Sequence, residues 1–270
     1  MKLSVSNIAW EPDELDDHLQ LIKRCGCHGV EIAPGLIWEE PVTSTAKERK
    51  QFKKRIESFG LKVVGLHALL FTRPDLELFG PPESRGKLGE YLNELFALCH
   101  DLGGKTLIFG SPKNRNRHGK DIKECMRIAK DFFAGLAPAA KKSEVILCLE
   151  PLSVQESDFL TTSEQGAALI EAIGHPHIGL HLDAKAMFES GEDFKQVFSE
   201  LGPLVRHFHV GDSGLTPPGS KGFDHRIPGR VLRDTGYKNY VSIEMRRGFG
   251  PSRDVIEKSI DYIKDCYDIS

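Results

Sequence analysis

The chain has 270 residues, 40% hydrophobic and 28% charged, with a formal net charge of -3. No run approaches the ~18 consecutive apolar residues of a membrane span. The mild acidity (pI about 6.4) speaks against a main task of gripping nucleic acid, which favours a basic excess. Six cysteines at positions 25, 27, 99, 125, 148 and 266 form no C-x-x-C pair. Scattered thiols in apolar surroundings fit a reducing cytoplasm better than a disulfide framework or a zinc knuckle. The N-terminus opens directly on an apolar strand-like run, so no signal or transit peptide is expected.

In chain order, short β-like runs fall at Leu3–Ile8, Val30–Ala33, Val63–Leu69, Thr106–Phe109, Val145–Leu149, Ile178–Leu182, Val205–Val210 and Tyr240–Ile243. Segments with helical period alternate with them: Asp13–Arg24, Thr45–Phe59, Ser84–Leu102, Lys120–Lys141, Ser163–Ile173, Asp193–Leu201 and Ser252–Tyr267. Thr162 or Ser163 opens one helix, and Gly60, Gly103 and Gly174 stand where helices should stop. The seventh unit is the weakest: Gly211–Pro228 reads as a long loop, with helical character only over Arg230–Thr235. A loop this long inside a compact domain is usually functional.

Strict alternation of strand and helix means parallel strands with crossover helices. Eight such units favour a closed (β/α)8 barrel, an α/β fold of ~250 residues in its common form. No G-x-G-x-x-G follows the first strand, which argues against a dinucleotide-binding sheet. No linker, composition shift or solenoid repeat divides the chain, so residues 1–270 are expected to form one domain.

In such a barrel the reacting groups sit at the C-terminal ends of the strands. "EVILCLEP" (144–151) places Glu150 at the deep end of an apolar run, where an unpaired carboxylate is costly. Strand 6 ends in Asp183, strand 7 carries His209 and strand 8 ends in Glu244. The spacings of 33, 26 and 35 residues correspond to one βα unit each. Four adjacent strands thus deliver four metal-type ligands at one height. Three carboxylates and one imidazole suit one divalent ion: manganese (Mn²⁺) first, with Mg²⁺, Co²⁺ or Zn²⁺ as alternatives.

These pieces resemble the xylose isomerase-like barrels, the family of sugar isomerases and epimerases. The matching motifs are "LEPL" followed by "FLTT", "GLHLD", "HFHVGD" and "GYKNYVSIEM". The resemblance runs from "VSNIAW" to the C-terminal helix. It implies that Glu150, Asp183, His209 and Glu244 hold one metal and that Glu150 and Glu244 are the acid and base. It further implies a small carbohydrate substrate and allows a homo-oligomer. Proton transfer between neighbouring carbons of a ketose through an enediolate needs such a pair, with a metal to polarise the carbonyl.

Several residues are candidates for contacting substrate. Glu156 matches a hydroxyl-binding position of the ketose 3-epimerases. His67, near the end of strand 3, faces the reactive end. His181 precedes Asp183 by two residues and shares its side of the strand, as His207 does with His209; each reads as a buried core imidazole or as a deeper substrate contact. The loop "GSPKNRNRHGK" carries Lys113 and Arg115 in a basic cluster that suits an anionic substrate group. Arg246 adds to that field, and Asp224 or His225, late in the long loop, is expected to fold back over the metal or to bind a second one. Trp10 and Trp38 are expected to pack at the barrel mouth. Two family positions are changed: Ala186 stands where the ketose 3-epimerases carry a histidine, and Leu215 where they carry an arginine. The metal set is kept while the pocket differs, which points away from a free ketohexose.

Three other readings share the barrel. A dehydratase of an inositol- or shikimate-type substrate would use the same metal and base but expel water. An abasic-site endonuclease would need three zinc ions and an Asp-x-His pair, whereas Asp224 and His225 are adjacent. A non-catalytic sugar binder would have no use for both glutamates.

Overall fold

Eight apolar runs bounded by charged or turn-forming residues become eight parallel strands. A computed structural model, describing residues 1–270, places them at β1 (Lys2–Ser6), β2 (Gly29–Ile32), β3 (Lys62–Leu66), β4 (Thr106–Phe109), β5 (Ile146–Leu149), β6 (Ile178–Asp183), β7 (Val205–Val210) and β8 (Tyr240–Ile243). Each pairs with its sequence neighbour and β8 closes on β1, with Leu3 opposite Val241, so the sheet is a closed (β/α)8 barrel. Closure leaves no unpaired edge.

The helices are α1 (Leu15–Arg24), α2 (Ala46–Ser58), α3 (Pro82–Leu102), α4 (Ile122–Lys142), α5 (Ser163–Ile173), α6 (Ala184–Ser190), α7 (Phe194–Leu201), α8 (Arg226–Asp234) and α9 (Ser252–Tyr267). Thr162 caps α5 by accepting from the Gln165 amide, and Thr45 and Glu48 form a reciprocal capping box on α2. Gly60, Gly103 and Gly174 all take positive φ at helix ends, where a side chain would be strained. None of the helices is long and apolar enough to cross a membrane.

Two elements differ from expectation. α6 starts directly on β6, with Asp183 capping it through the Lys185 amide, and its seven residues are too few to show a helical period. α8 begins at Arg226, four residues before the expected start at Arg230, and takes in Pro228. Proline is tolerated there because the amide it lacks belongs to the unbonded first turn.

The main apolar core lies between the strands and the helical ring. Phe109 of β4 meets Phe133 of α4 edge-on at 5.2 Å, and Phe208 of β7 meets Phe198 of α7 at 5.7 Å. Trp10 is fully buried and stacked on His18, and Trp38 packs edge-on against Phe52, so both serve packing.

The inside of the barrel is different. Ser6 bonds His67, Glu31 bonds His209, and Ser242 bonds Glu31. These residues sit on strands that are not neighbours in the sheet, so the bonds cross the barrel interior. A polar column therefore runs beneath the C-terminal end, and it is this column that supports the site.

Candidate active site

The C-terminal strand ends enclose a cavity of about 190 Å³. Glu150, Asp183, His209 and Glu244 all line it, as do His67 and Glu156. Six residues expected from the sequence are thus brought to one place by β3, β5, β6, β7 and β8. Gly110, just past β4, makes room for this cluster. A Cβ at that position would run into the Glu150 carboxylate.

Each ligand candidate is held from below. His209 donates through Nε2 to Glu31 Oε2 at 2.7 Å. Its Nδ1 is buried, lies 3.2 Å from Glu244 Oε2, and has no aligned hydrogen-bond partner. His67 donates through Nδ1 to Glu244 Oε1 at 3.0 Å and accepts at Nε2 from Ser6 Oγ at 2.6 Å. Asp183 Oδ1 accepts from the Lys185 amide at 2.8 Å. Arg115 donates to the Glu150 carbonyl at 2.6 Å, which fixes the backbone behind that carboxylate.

Charge crowding shapes the protonation of the set. Burial pushes Glu150 up to about 8, aided by the nearby Glu244 carboxylate. Burial raises Asp183 to about 6, with Lys185 opposing and Glu244 reinforcing the rise. Burial also acts against ionised Glu244, but the His209 and His67 imidazoles outweigh it and hold the carboxyl well below its usual range. His209 is shifted well above the ordinary imidazole value: burial opposes this, and Glu31 and Glu244 overcome it.

This donor set fits a divalent cation. It offers three carboxylates, two of them with raised pKa, and one imidazole nitrogen that is buried and unpartnered. The opposite ring nitrogen is bonded to a carboxylate, the arrangement that orients a ligating histidine and raises its basicity. Two closer clusters also bring three candidate donor atoms within 4.8 Å of one another: His181, His207 and His209, and Glu31, His67 and His209. Neither contains Glu150, Asp183 or Glu244; His67 and His209 line the cavity, and the other members, His181, His207 and Glu31, lie outside its lining in the polar column.

Other expected contacts fall elsewhere. Arg115 is fully buried and turned to the Glu150 backbone instead of the cavity. Burial lowers its pKa to about 10, with Glu150 opposing. Lys113 is solvent-exposed and does not line the cavity. His181 is buried beneath the site, its Nε2 3.6 Å from Glu150 Oε1. His225 is buried against Asp212 at 2.8 Å, where it ties down the loop after β7, and exposed Asp224 does not line the cavity either. Arg246 is exposed, bonded through Nε to the Gly214 carbonyl, and lines an adjoining cavity.

Two further residues tied to the candidate site are visible only in the structure. Glu31 is fully buried and lies within reach of His209, His207 and Ser242. Burial works against its charge, but the His209, His207 and His67 imidazoles hold its pKa well below normal. The signal was a carboxylate inside the apolar run "GVEIA", the same anomaly that marks Glu150. Lys185, on the first turn of α6, lines the cavity and places Nζ 2.8 Å from both oxygens of Glu156. Burial would lower the Lys185 pKa, yet Asp183 and Glu156 together raise it.

A family model described as xylose isomerase-like TIM barrel matches residues 19–266. The chain belongs to that family. Among relatives, D-psicose 3-epimerase of Agrobacterium fabrum is 31% identical over 110 residues, covering 41% of this chain and 38% of that protein. L-ribulose 3-epimerase of Mesorhizobium japonicum is 30% identical over 157 residues, covering 57% of this chain and 52% of that protein. The chain thus spans about half or less of the length of these two family members. A solved Escherichia coli structure, 3-keto-D-glucoside 4-epimerase in apo form, superposes with a TM-score of 0.83 at 19% identity, covering 98% of this chain and all of that one. At that identity the superposition speaks for the fold.

Proposed function

We propose that this protein is a divalent-metal-dependent isomerase or epimerase of a keto sugar. In this reading Glu150, Asp183, His209 and Glu244 hold the metal, and Glu150 and Glu244 exchange the proton. The observation that carries it is the pair of glutamates. They come from β5 and β8, line one cavity, and are pushed to opposite protonation states, Glu150 upward and Glu244 downward. Pairs of titratable groups driven apart in this way mark acid and base roles.

A divalent cation held by the four ligands supplies a Lewis acid that withdraws electron density from a carbonyl and its neighbouring hydroxyl. The chain's own residues do the rest. Ionised Glu244, aimed by His67, takes the proton from the carbon beside the carbonyl; the C–H pair becomes the double bond of an enediolate. Glu150 in its acid form returns a proton to the opposite face of the same carbon for epimerisation; for isomerisation the proton goes to the neighbouring carbon while the hydroxyl proton there passes to the former carbonyl oxygen. Glu156, gripped by Lys185, is placed to accept a hydrogen bond from a substrate hydroxyl. The sugar-epimerase names of the relatives support this class of substrate.

Elemental analysis of purified protein, followed by proton exchange in deuterated water with a panel of ketoses and keto-sugars, tests the reading. One divalent ion per chain with metal-dependent exchange is expected. No metal uptake, even from excess Mn²⁺, would sink it.

A further inference from the structure

Four polar atoms of the column beneath the cavity have no aligned hydrogen-bond partner: His181 Nδ1 and Nε2, His207 Nε2 and Glu31 Oε1. All three side chains are buried, at most 1% exposed. Buried polar groups are almost always bonded to something, so several orphans in one place point to a bound partner. These face one another. His207 Nε2 stands 3.0 Å from Glu31 Oε1 without the alignment of a hydrogen bond. One donor nitrogen from each of His181, His207 and His209 lies within 4.8 Å of the other two. For His209 the column-facing nitrogen is Nε2, bonded to Glu31, since Nδ1 faces Glu244.

The strand register explains the gathering. His181 pairs with His207, and Asp183 pairs with His209, across β6 and β7. Alternate residues share a face, so a layer of imidazoles lies directly below the layer of ligand candidates. The two layers differ in chemistry. The upper one, with three carboxylates and one imidazole, is oxygen-rich and suits Mn²⁺ or Mg²⁺. The lower one, with three imidazoles and the Glu31 carboxylate, is nitrogen-rich and suits Zn²⁺. Tetrahedral zinc, ~2.0–2.1 Å from each nitrogen, sets its ligand atoms about 3.3 Å apart. The Glu31–His207 separation is already on that scale, and the wider ones close as the ion draws the rings in. The way in is the cavity, because His209 lines it and His181 Nε2 lies 3.6 Å from Glu150 Oε1.

We infer that the column is a zinc site, held by His181, His207, His209 and Glu31, and that zinc there excludes the catalytic ion. A neutral imidazole has one nitrogen free to ligate. With Nδ1 on the catalytic ion, Nε2 of His209 keeps its hydrogen for Glu31. With Nε2 on the lower ion, the hydrogen sits on Nδ1, facing Glu244. His209 therefore serves one ion at a time. Zinc in the column acts as an inhibitor that competes with the catalytic metal and not with the sugar. The exclusion rests on the role given to His209 under Proposed function; the zinc site itself stands without it.

The test is titration of metal-free protein with Zn²⁺, read by a chromophoric chelator, and with Mn²⁺, read by the paramagnetic resonance of the free ion. Glu150→Gln/Glu244→Gln should lose Mn²⁺ and keep its zinc affinity within threefold. His181→Gln/His207→Gln should do the reverse, with zinc weakened at least tenfold and Mn²⁺ kept within threefold. Zinc added to the Mn²⁺-loaded wild type should release one Mn²⁺ for each zinc bound. Loss of zinc from the glutamate variant, or unchanged zinc affinity in a folded histidine variant, overturns the site. Cobalt in the glutamate variant decides the matter independently of whether the histidine variant folds: the intense visible absorption of four-coordinate Co²⁺ is expected, and the weak absorption of six-coordinate Co²⁺ overturns the site. Zinc and Mn²⁺ bound together overturn the exclusion. A wild type that binds zinc in this way but never Mn²⁺ would keep the column site and reject the catalytic metal reading.

Discussion

Glu31→Gln separates the support of the site from the site itself. Glu31 is fully buried, accepts from His209 Nε2 at 2.7 Å and from Ser242 Oγ at 2.8 Å, and lies 3.0 Å from His207 Nε2. Glutamine keeps the shape but turns an amide donor toward one imidazole donor. Breaking one side of a buried charged pair costs ~3–5 kcal/mol when the other charge is stranded. Here His209 escapes by losing its proton, so a smaller loss of about 2–3 kcal/mol follows, a drop of roughly 5–10 °C in Tm for a chain this size. The larger effect is on the metal. Removing the carboxylate behind a ligating histidine weakens affinity about 10–100-fold. Competition with a chromophoric chelator at fixed pH reads this directly. Ser242→Ala is the control. It removes one partner of Glu31 without touching His209, so it should cost about 1 kcal/mol and leave the metal in place. A folded Glu31→Gln protein with unchanged metal affinity would refute the role given to Glu31.

Glu150→Gln and Glu244→Gln should each abolish proton exchange while circular dichroism shows an intact barrel; near-normal turnover in either would end the two-glutamate scheme. Gly110→Ala sets a methyl against the Glu150 carboxylate, so exchange should fall about a hundredfold, the scale of a 1 Å misplacement, with little change in Tm. Lys185→Met frees Glu156 from its only cation, and the expected signature is a raised KM with a smaller change in kcat; equal losses in both would place Lys185 in the proton transfer instead. Without metal, Glu150 and Asp183 have folded pKa values of about 8 and about 6, above their ordinary range. Between the ordinary and folded values the native state binds more protons than the unfolded chain, so metal-free stability from these groups falls as pH rises. A cation has to displace the Asp183 proton and competes with the one on Glu150. The Tm gap between metal-loaded and chelator-treated protein should therefore widen from pH 5.5 to pH 8, and a constant gap would argue against carboxylate ligands.

The barrel was legible because parallel strands buried on both faces write themselves as continuous apolar runs. Thr106–Phe109, Val205–Val210 and Tyr240–Ile243 emerge with their expected ends. Three of the four strand-end ligand candidates, Glu150, Asp183 and Glu244, stood out for the converse reason, since a carboxylate closing an apolar run demands compensation. What stayed hidden depends on direction in space. Arg115 and Lys113 sit two residues apart in one basic loop, yet the turn at Lys113–Arg115 sends one side chain into the protein and the other into water. His225 looked available for a metal only until Asp212, thirteen residues earlier, was found holding it. Glu31 is the instructive case. Its contacts run to β7 and β8, which the sheet keeps apart from β2 and only the closed barrel brings across its interior. A reading restricted to strand ends cannot see such a residue, but the rule that exposed Glu150 applies unchanged: a charge inside an apolar strand has a partner, and in a closed barrel that partner stands on a strand across the interior.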